Sequence, residues 1–467
     1  MLNRIFPEGT FRKPTVLVIL FSICFAFWFV DFWRSYNAAK NHNNFQWDVM
    51  NYYSYLPATF CNGGSYDFHQ SGDSMFLPYG PRGGFVPKTT YGMSILYAPY
   101  FALGYKIAIN QDSPRNGFSE PFATALRWGS IFYVIFGLMF LRKFLLRFFS
   151  EPVTAITLLA ALFGTMLFFY TYVNSEMSHG YLFMLFSLFL YLVPKWHESP
   201  KLANTVLIGF TIGLISLIRP TEIYMFLFFI FWNVKSMSDF RLKLKLFASR
   251  YIHFVIMFLS GLLLWIPQFL FWKEHTGSYF YFSYPGERFF WNDPQLMNIL
   301  FSYRKGWITY TPLVLMSFAG FFFVKKDFPL SKWLFIFVTA MMIYVLSCWW
   351  DWVFGGSFGA RAFCQNIAWL AIPFAFFVDF VFYSSRKFFA REIVRLVTVL
   401  FIFSCICLNI GQTYQYKHNL IHYDGMTKRI YWDVFRKYQY DDIYQFLYWG
   451  YLESPDYEKM RRGERDL

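Results

Sequence analysis

The sequence predicts an all-α protein that crosses a lipid bilayer many times. Hydrophobic residues make up 56% of its 467 residues and charged residues 15%, whereas globular domains average roughly 45–50% and 25%. The apolar residues are grouped into runs of about 17–25 residues, the length a helix needs to span a hydrocarbon core. Tracts such as 181–192 lack the polar stripe that a helix of a large soluble bundle would carry.

About eleven segments have the length and apolarity of membrane spans. They lie at about 15–33, 128–147, 153–173, 179–194, 203–218, 221–235, 251–271, 307–324, 331–349, 363–383 and 394–411. The first contains an apolar run from Thr15 to Val30 that resembles a signal peptide, but no small-residue cleavage site follows it. We therefore expect an uncleaved first span.

The charges predict the orientation of the chain. The net charge is +14, and lysine and arginine concentrate in alternate short loops such as 142–147 and 325–326, whereas the turns at 174–178 and 219–222 nearly lack them. Because basic loops stay on the cytoplasmic side, this pattern places the N-terminus in the cytoplasm. No basic face is interleaved with exposed aromatic residues, so no nucleic acid partner is expected.

This orientation places three long segments outside: a first outer loop at 34–127, a second outer loop at 272–306 and a tail at 412–467. The tail is too polar to span a membrane. We therefore predict a membrane module at 1–411, followed by a small polar outer tail at 412–467.

Two helices are expected at the membrane surface within the first outer loop. The segment 94–109 is apolar but short, aromatic and broken by Pro99, which suits an interfacial helix better than a span. The segment 48–59 is a candidate for a second juxtamembrane helix. The Gly-, Pro- and Ser-rich segment 62–87 between them is expected to be a loop.

Asp48 is the first candidate for chemistry. It lies in the motif Trp47-Asp48-Val49-Met50-Asn51-Tyr52-Tyr53, shortly after the first predicted span. An aspartate before an amphipathic helix is most often an N-cap that accepts hydrogen bonds from backbone N–H groups. In a loop against the membrane, it can instead be a general base or a carboxylate directed at a metal.

Further candidates lie close to the outer ends of other predicted spans. Lys88 either reaches lipid headgroups or binds a phosphate as a point charge. Glu176 and His179 are three residues apart, where they could face one cavity, hold a metal ion or serve as a helix cap and a satisfied histidine. Glu222 follows Arg219 at the next outer turn and could simply pair with it.

Cations and glycines mark the second half of the chain. Arg304 and Lys305 precede a tryptophan at the membrane face and suit a lipid phosphate. The motif from Cys348 to Arg361 reads Cys-Trp-Trp-Asp-Trp-Val-Phe-Gly-Gly-Ser-Phe-Gly-Ala-Arg and contains Asp351. Its tryptophans could form an aromatic belt, but glycines let backbone approach a ligand closely and Arg361 could clamp a phosphate.

Other kinds of site find no support in the sequence. No Walker A or Rossmann glycine pattern occurs between a strand and a helix, and no Ser/His/Asp set stands out. None of the six cysteines has a metal-ligand or thioredoxin spacing. Cys348 and Cys364 flank one external loop and could form a disulfide or remain two free thiols.

With these motifs, the plan of the chain resembles the GT-C superfamily of polytopic glycosyltransferases, including protein O-mannosyltransferases and the bacterial aminoarabinose transferases of lipid A. The shared features are a first span, a long outer loop that opens with an acidic residue, interfacial helices, and a second acidic site before the fourth span. The resemblance covers roughly the first half of the chain. The Trp-Trp…Gly-Ala-Arg loop is similar to one found in bacterial relatives.

The resemblance implies transfer of a sugar from a polyprenyl phosphate, on the outer face of the membrane, to a lipid, glycan or protein acceptor. By position, Asp48 corresponds to the catalytic carboxylate of the first loop, Lys88 to the lysine that contacts the donor phosphate, and Glu176 to a second acidic residue. The chain departs from the family pattern in three ways: a single acidic residue at 48, Glu instead of the usual Asp at 176, and an added histidine at 179.

The resulting hypothesis is a glycosyltransferase of the cell envelope, in a bacterial inner membrane with its active site facing the periplasm. Asp48 and Glu176 are the predicted catalytic carboxylates, with Asp48 as the base. The residues predicted to hold the donor phosphate and stabilise the leaving group are Lys88, Arg304, Lys305 and Arg361. Those predicted to line the acceptor side, or to bind a divalent metal ion if one is present, are His179, Glu222 and Asp351.

Three alternatives remain open. A polysaccharide polymerase or ligase also uses polyprenyl-linked donors but moves whole glycans, and the long basic second outer loop favours it. A flippase or transporter of a lipid-linked sugar would carry ionisable residues in mid-span and show repeats, and neither is found in the sequence. A non-catalytic assembly subunit is opposed only by the clustering of the charged candidates.

Overall fold

The computed structural model describes residues 13–38, 45–68, 77–384, 391–439, 448 and 450–465. Within these ranges the chain is helical, and its β-structure is limited to isolated bridges. The chain forms two compact units. Unit 1 comprises Met1–Leu20, Arg142–Phe169 and Gly286–Leu467, and unit 2 comprises Phe21–Leu141 and Tyr170–Pro285.

The helices follow the order of the chain. They are α1 (Pro14–Ala38), α2 (Trp47–Tyr53), α3 (Tyr55–Cys61), α4 (Gly92–Asn110), α5 (Glu120–Leu145), α6 (Glu151–Phe163), α7 (Leu167–Tyr172), α8 (Ser178–Glu198), α9 (Leu202–Ile218), α10 (Phe226–Ile230), α11 (Met237–Ser249), α12 (Tyr251–Thr276), α13 (Leu296–Phe301), α14 (Trp307–Tyr310), α15 (Val314–Gly320), α16 (Lys332–Cys348), α17 (Ile367–Tyr383), α18 (Arg391–Lys417), α19 (Lys428–Val434) and α20 (Tyr457–Arg462). Short 3₁₀ segments occupy Pro220–Met225, Phe321–Phe323 and Arg361–Asn366.

Helical structure is present in every segment predicted as a span. In the described chain, four helical segments are long and apolar enough to cross a membrane: α5, α12, α18, and α17 with the 3₁₀ turn before it. The predicted span 153–173 is divided at Gly164. The predicted span 221–235 contains a 3₁₀ turn of 6 residues followed by the 5 residues of α10. At about 2.0 and 1.5 Å per residue these give about 20 Å of helix, roughly two-thirds of a hydrocarbon core.

Lipid-facing surfaces identify the protein as an integral membrane protein. Only 17% of the most apolar window of α12 and 22% of that of α18 are buried within the protein. Phe258 and Leu263 on α12, and Leu400 and Phe403 on α18, are all more than half exposed. Apolar faces of this extent need a hydrocarbon environment to cover them.

Glycines set the closest helix contacts inside each unit. In unit 2, α9 packs on α12 where Gly209 and Gly213 meet Gly261, and a Cβ built at Gly213 would lie 2.5 Å from the Gly261 Cα. In unit 1, a Cβ at Gly320 of α15 would lie 1.9 Å from the carbonyl oxygen of Pro373 in α17. Such backbone contacts are typical of helix pairs in membranes, where small residues permit close approach.

The first outer loop contains helices at both predicted places. Helices α2 and α3 occupy the predicted segment 48–59, and α4 extends the predicted segment 94–109 slightly at both ends, with Pro99 inside it. The described parts of the segment 62–87 contain no helix, and residues 69–76 lie outside the described residues. Helix α18 continues to Lys417, through the predicted boundary at 411. The division into a membrane module and a tail remains a prediction.

Candidate active site

Asp48 lies in the first turn of α2 and is half-buried. The N-cap of this helix is the extended Gln46, which makes no side-chain capping bond, so the capping interpretation of Asp48 does not hold. Trp47, directly before it, has a φ of +50°. This left-handed conformation is unfavourable for a bulky side chain, and backbone strain of this kind is often found at functional sites.

One face of α2 connects Asp48 with other predicted site residues. Asn51 and Tyr52 lie three and four residues after Asp48, so all three side chains share this face. The Asn51 Oδ1 accepts a hydrogen bond of 2.6 Å from the backbone N–H of Lys88. The Tyr52 hydroxyl accepts one of 3.3 Å from Ser178 at the start of α8. Helix α2, which contains Asp48, is therefore bound to the Lys88 segment and to the start of α8 in unit 2.

Lys88 is held in place from both sides of its backbone. In addition to the bond from its N–H to Asn51, its carbonyl accepts a hydrogen bond of 2.5 Å from the Ser283 hydroxyl. Its ammonium lies 4.6 Å from the centre of the Tyr284 ring, a cation–π distance. The next carbonyl, that of Thr89, accepts a bond of 2.7 Å from Tyr55. A lysine fixed in this way and half-buried has less freedom than one that simply reaches lipid headgroups.

Glu176 is buried and paired with an arginine that the sequence analysis did not single out. The Glu176 Oε1 lies 3.8 Å from the Arg127 Nε, and both side chains are 7% exposed. Ser175 donates a hydrogen bond of 3.3 Å to the other carboxylate oxygen, and the Tyr97 hydroxyl donates to the Glu176 carbonyl. Arg127 directly precedes a predicted span at its outer end, where the positive-inside rule disfavours arginine, and this signal could have identified it.

His179 and Glu222 are also buried in unit 2. The His179 ring is fully buried, 4.6 Å from the centre of the Tyr170 ring. The backbone N–H of Glu222 donates a hydrogen bond of 2.9 Å to the Arg219 carbonyl, which starts the 3₁₀ turn after α9. Both side chains are therefore buried at the ends of helices, His179 at the start of α8 and Glu222 in the 3₁₀ turn after α9.

The sequence leaves a bound divalent metal ion as an option. Among the residues that the structure describes, no group of three or more His, Cys, Asp or Glu side chains is placed to hold one. Three or more such ligands are typical of zinc sites, whereas Mg²⁺ is often held by one or two carboxylates together with waters and phosphates. We derive no step through a metal.

In unit 1, the glycine-rich loop at 349–361 brings Asp351 and Arg361 together. Phe354, Gly355 and Gly359 have φ values of +55°, +61° and +57°, which reverse the chain. A Cβ built at Gly355 would lie 3.8 Å from the Asp351 Oδ2 and 3.9 Å from the Arg361 Nη2. The two charged residues of the motif therefore converge on one point beside a glycine.

Lys305 ties this loop to the tail. Its buried ammonium donates to the Ser357 carbonyl, to the Ser357 hydroxyl at 3.1 Å and to the Tyr423 carbonyl at 2.5 Å. These contacts occupy all three protons of an ammonium. Burial lowers the pKa of Lys305 to about 7, an effect opposed by the nearby Asp424 carboxylate. Lys305 can therefore act on a bound anion through its charge and by positioning the loop, but has no proton left to donate.

Two tail residues complete the surroundings of Lys305, and sequence reasoning missed both. The buried Asp424 accepts a hydrogen bond of 2.7 Å from the Tyr457 hydroxyl, and its carbonyl accepts one of 3.3 Å from Arg304. Nothing in the spacing of the tail marks these residues, because their partners lie far away in the sequence.

Asp351 has the properties of an acid–base group. Burial raises its pKa to about 7, while Arg361 and Lys305 oppose this shift and Asp424 adds to it. The Gly355 N–H donates a hydrogen bond to its carboxylate. A carboxyl group that titrates near neutrality, beside two cations, is suited to exchange protons with a substrate.

The tail also contributes a buried arginine, Arg465. Its guanidinium donates to the carbonyls of Ser347, Cys348 and Trp349 at 3.0–3.3 Å and binds the Asp293 Oδ2 at 2.9 Å. Because these carbonyls lie at the C-terminal end of α16, Arg465 fixes the point where the glycine-rich loop begins.

The cysteines do not form the disulfide that the sequence left open. None of the six forms a disulfide, and Cys348 and Cys364 carry buried thiols. Both therefore behave as small core residues, consistent with the second of the two expectations.

The fold is similar to that of a solved structure, the apo form of the oligosaccharyltransferase of Archaeoglobus fulgidus. The two align with a TM-score of 0.54 at 14% sequence identity, over 96% of this chain and 60% of that chain. The chain thus spans about three-fifths of the length of the archaeal protein. No family model and no curated protein matches the chain. At this identity the likeness concerns the fold alone, and it confirms the expected all-α, polytopic membrane fold over nearly the whole chain.

Proposed function

We propose that this chain is an integral membrane glycosyltransferase that takes a sugar from a polyprenyl-phosphate donor. The observation that carries the proposal is that α2, the helix of Asp48, is hydrogen-bonded on a GT-C-like fold to the Lys88 segment and to the start of α8. This arrangement offers a carboxylate and a cation on segments that are bound to each other. A site that faces the periplasm from a bacterial inner membrane is part of the same proposal.

In this proposal Asp48 is the general base. It removes the proton from an acceptor hydroxyl as the hydroxyl oxygen attacks the anomeric carbon of the sugar. The bond between that carbon and the phosphate oxygen breaks, and the polyprenyl phosphate leaves with its charge. Lys88 binds the anionic group as a point charge. Glu176 is a positioning residue, since its carboxylate is already engaged by Arg127 and Ser175.

We assign the unit 1 residues to a second set of roles. Arg361 is the proposed ligand of an anionic substrate group, because a guanidinium can donate two parallel hydrogen bonds to a phosphate. Arg304 and Lys305 support it through their charge and their hold on the loop and tail. We also propose that Asp351 exchanges a proton with the substrate. Its proposed position on the acceptor side is the one that the sequence analysis expects. His179 and Glu222 keep the proposed acceptor-side roles in unit 2.

A substitution of Asp48 tests the base assignment. In nanodiscs containing a labelled polyprenyl-phosphate sugar, we expect Asp48→Asn to lower the turnover number by about 10²–10⁴-fold, the usual contribution of general base catalysis. Asp67→Asn is the matched control, because Asp67 is an exposed aspartate of the same predicted outer loop. Full activity of Asp48→Asn would contradict the assignment.

A polymerase or ligase that moves a whole glycan is the second candidate. It is favoured by the likeness to a protein whose name specifies transfer of an oligosaccharide. The two functions differ in what leaves the donor. Mass analysis of the product formed from a monosaccharide donor and from an oligosaccharide donor separates them, since a polymerase or ligase would use the second donor in preference.

A further inference from the structure

A cavity in unit 1 is lined mostly by residues that have no role in the proposed mechanism. Its volume is about 460 Å³, within the range of pockets that bind small molecules, roughly 300–1,000 Å³. It is bounded by residues 302–304 on one side and by the tail on the other, with Met426, Thr427 and Tyr451 among the tail residues. The buried Arg304 lines it, so the cavity is adjacent to the Lys305 site.

The charged residues that line the cavity favour an anion. They are three cations, Arg304, Lys428 and Arg429, and one carboxylate, that of Glu453. Arg304 uses one N–H to bind the Asp424 carbonyl, and a guanidinium has five N–H donors. The Arg429 guanidinium lies 3.9 Å from the centre of the Tyr451 ring. This stacking holds its charge at the edge of the cavity.

The aromatic residues that line the cavity favour a sugar. Tyr303 is half-buried and Tyr451 is exposed, so these two rings can offer a face to a ligand. Trp352 lies behind them at 1% exposure, and its indole N–H donates to the Arg465 carbonyl at 3.4 Å. The Tyr303 hydroxyl accepts a hydrogen bond of 3.2 Å from Trp432, and its carbonyl accepts one of 2.7 Å from Tyr310. These rings are therefore fixed. Flat, fixed aromatic surfaces between polar groups suit the C–H faces and hydroxyl edges of a pyranose.

We propose that this cavity binds an anionic saccharide, one that carries a carboxylate or a phosphate, as the acceptor of the transfer. That the saccharide is the acceptor rests on the proposed function. The expected preference for an anionic saccharide rests on the residues that line the cavity. A lipid tail is a poor occupant, because Met426 is the one aliphatic side chain among the lining residues. Glu453 in the lining and Asp433, 4.0 Å from the Arg429 Nε, offset part of the positive charge. The three lining cations still outnumber the one lining carboxylate, and a neutral sugar would add nothing to balance them.

The test compares two trisaccharides of equal length, the carboxylated trigalacturonate and the neutral maltotriose. Binding is measured by calorimetry on the full-length protein in nanodiscs, without donor. We expect trigalacturonate to bind at least about tenfold more tightly than maltotriose, and inorganic phosphate to compete with it. Equal binding of the two sugars, or binding of neither, would overturn the proposal.

Charge-reversal variants test whether trigalacturonate binds in this cavity. The double variant Lys428→Glu/Arg429→Glu is expected to weaken trigalacturonate binding by at least about tenfold. Arg436→Glu/Lys437→Glu is the matched control, since it makes the same charge change at two exposed residues of the same tail that do not line the cavity. Equal weakening by both variants would show a general charge effect and contradict the site.

Two further measurements separate misfolding and failure of the proposed function from failure of this inference. Thermal unfolding identifies a variant that has lost its fold. In that case the milder Lys428→Gln, at an exposed residue, replaces the double variant and is also expected to weaken trigalacturonate binding. Sugar binding without transfer would refute the transferase alone. Transfer to a neutral acceptor without trigalacturonate binding would refute the inference alone.

Discussion

At the scale of single residues, Arg465 shows how the tail stabilises the start of the glycine-rich loop at 349–361. The variant Arg465→Ala would remove the hydrogen bonds to the carbonyls of residues 347–349 and to the Asp293 carboxylate. Ser347, Cys348 and Asp293 would keep donors from Gln295 and Phe290. We expect it to lower the free energy of unfolding by about 3 kcal/mol, a typical effect of removing a buried charged hydrogen-bond partner. Thermal unfolding in detergent measures this.

The control for Arg465 is an exposed arginine of the same segment. Arg462 forms an ion pair of 3.4 Å with Glu464, with both side chains more than half exposed. Such surface pairs contribute little, so Arg462→Ala should change stability by less than about 1 kcal/mol. If the two variants were equally stable, Arg465 would not fix the loop.

The raised pKa of Asp351 predicts that the free energy of unfolding depends on pH. Its pKa rises from 3.8 to about 7 in the folded protein, so its protonated form favours folding. This contribution is complete below the unfolded pKa and is lost as the pH rises through about 7. We therefore expect Asp351→Asn, which cannot lose a proton, to gain stability relative to the wild type between pH 5 and pH 8.

The expected gain is at least about 1.4 kcal/mol, the equivalent of one pKa unit. Chemical denaturation of both proteins at several pH values measures it. Burial also lowers the pKa of Lys305 to about 7, and Lys305 and Asp351 act on each other, so the comparison measures the contribution of this interacting pair. A stability difference that stays constant with pH would show that Asp351 does not titrate in this range.

At the scale of helices, the close pair α9 and α12 depends on its glycines. The Cβ of Gly213→Ala would lie 2.5 Å from the Gly261 Cα, so the two helix backbones would have to separate. We expect a loss of about 1–3 kcal/mol in stability, the usual cost of overpacking, measured by thermal unfolding.

Gly411→Ala in α18 is the matched control for this packing. The nearest atom to its Cβ would be the Tyr438 hydroxyl at 3.4 Å, an ordinary contact. Because alanine favours helix more than glycine does, this variant should be as stable as the wild type or slightly more stable. Destabilisation by both alanines to the same degree would argue against tight packing as the cause.

The sequence predicts the positions of helices better than their continuity. Membrane-length apolar runs are a local property, so each predicted segment proves helical. The division of 153–173 at Gly164, and the shortness of the helical pieces in 221–235, depend on tertiary contacts and turns that hydropathy does not report. Hydropathy also does not report the close backbone approach at Gly320, which appears only when α15 and α17 are packed.

At the scale of the whole chain, the sequence marks individual site residues but not their groups. Asp48, Lys88 and Glu176 in unit 2, and Arg361 in unit 1, are each recognisable from their positions beside apolar runs. Their partners are not: Arg127, Asn51, Asp424 and Arg465 come from distant parts of the chain and gain their roles through folding. The two groups are therefore visible only in the folded units.

The central claim is that this membrane protein transfers a sugar from a lipid-linked donor. The most direct measurement offers the purified wild type in nanodiscs a labelled polyprenyl-phosphate sugar and, separately, a labelled nucleotide sugar, and scores release of label to water or to membrane-extract acceptors. We predict turnover of the lipid-linked donor alone. Turnover of the nucleotide sugar instead, or of neither donor by a folded protein, would contradict the account.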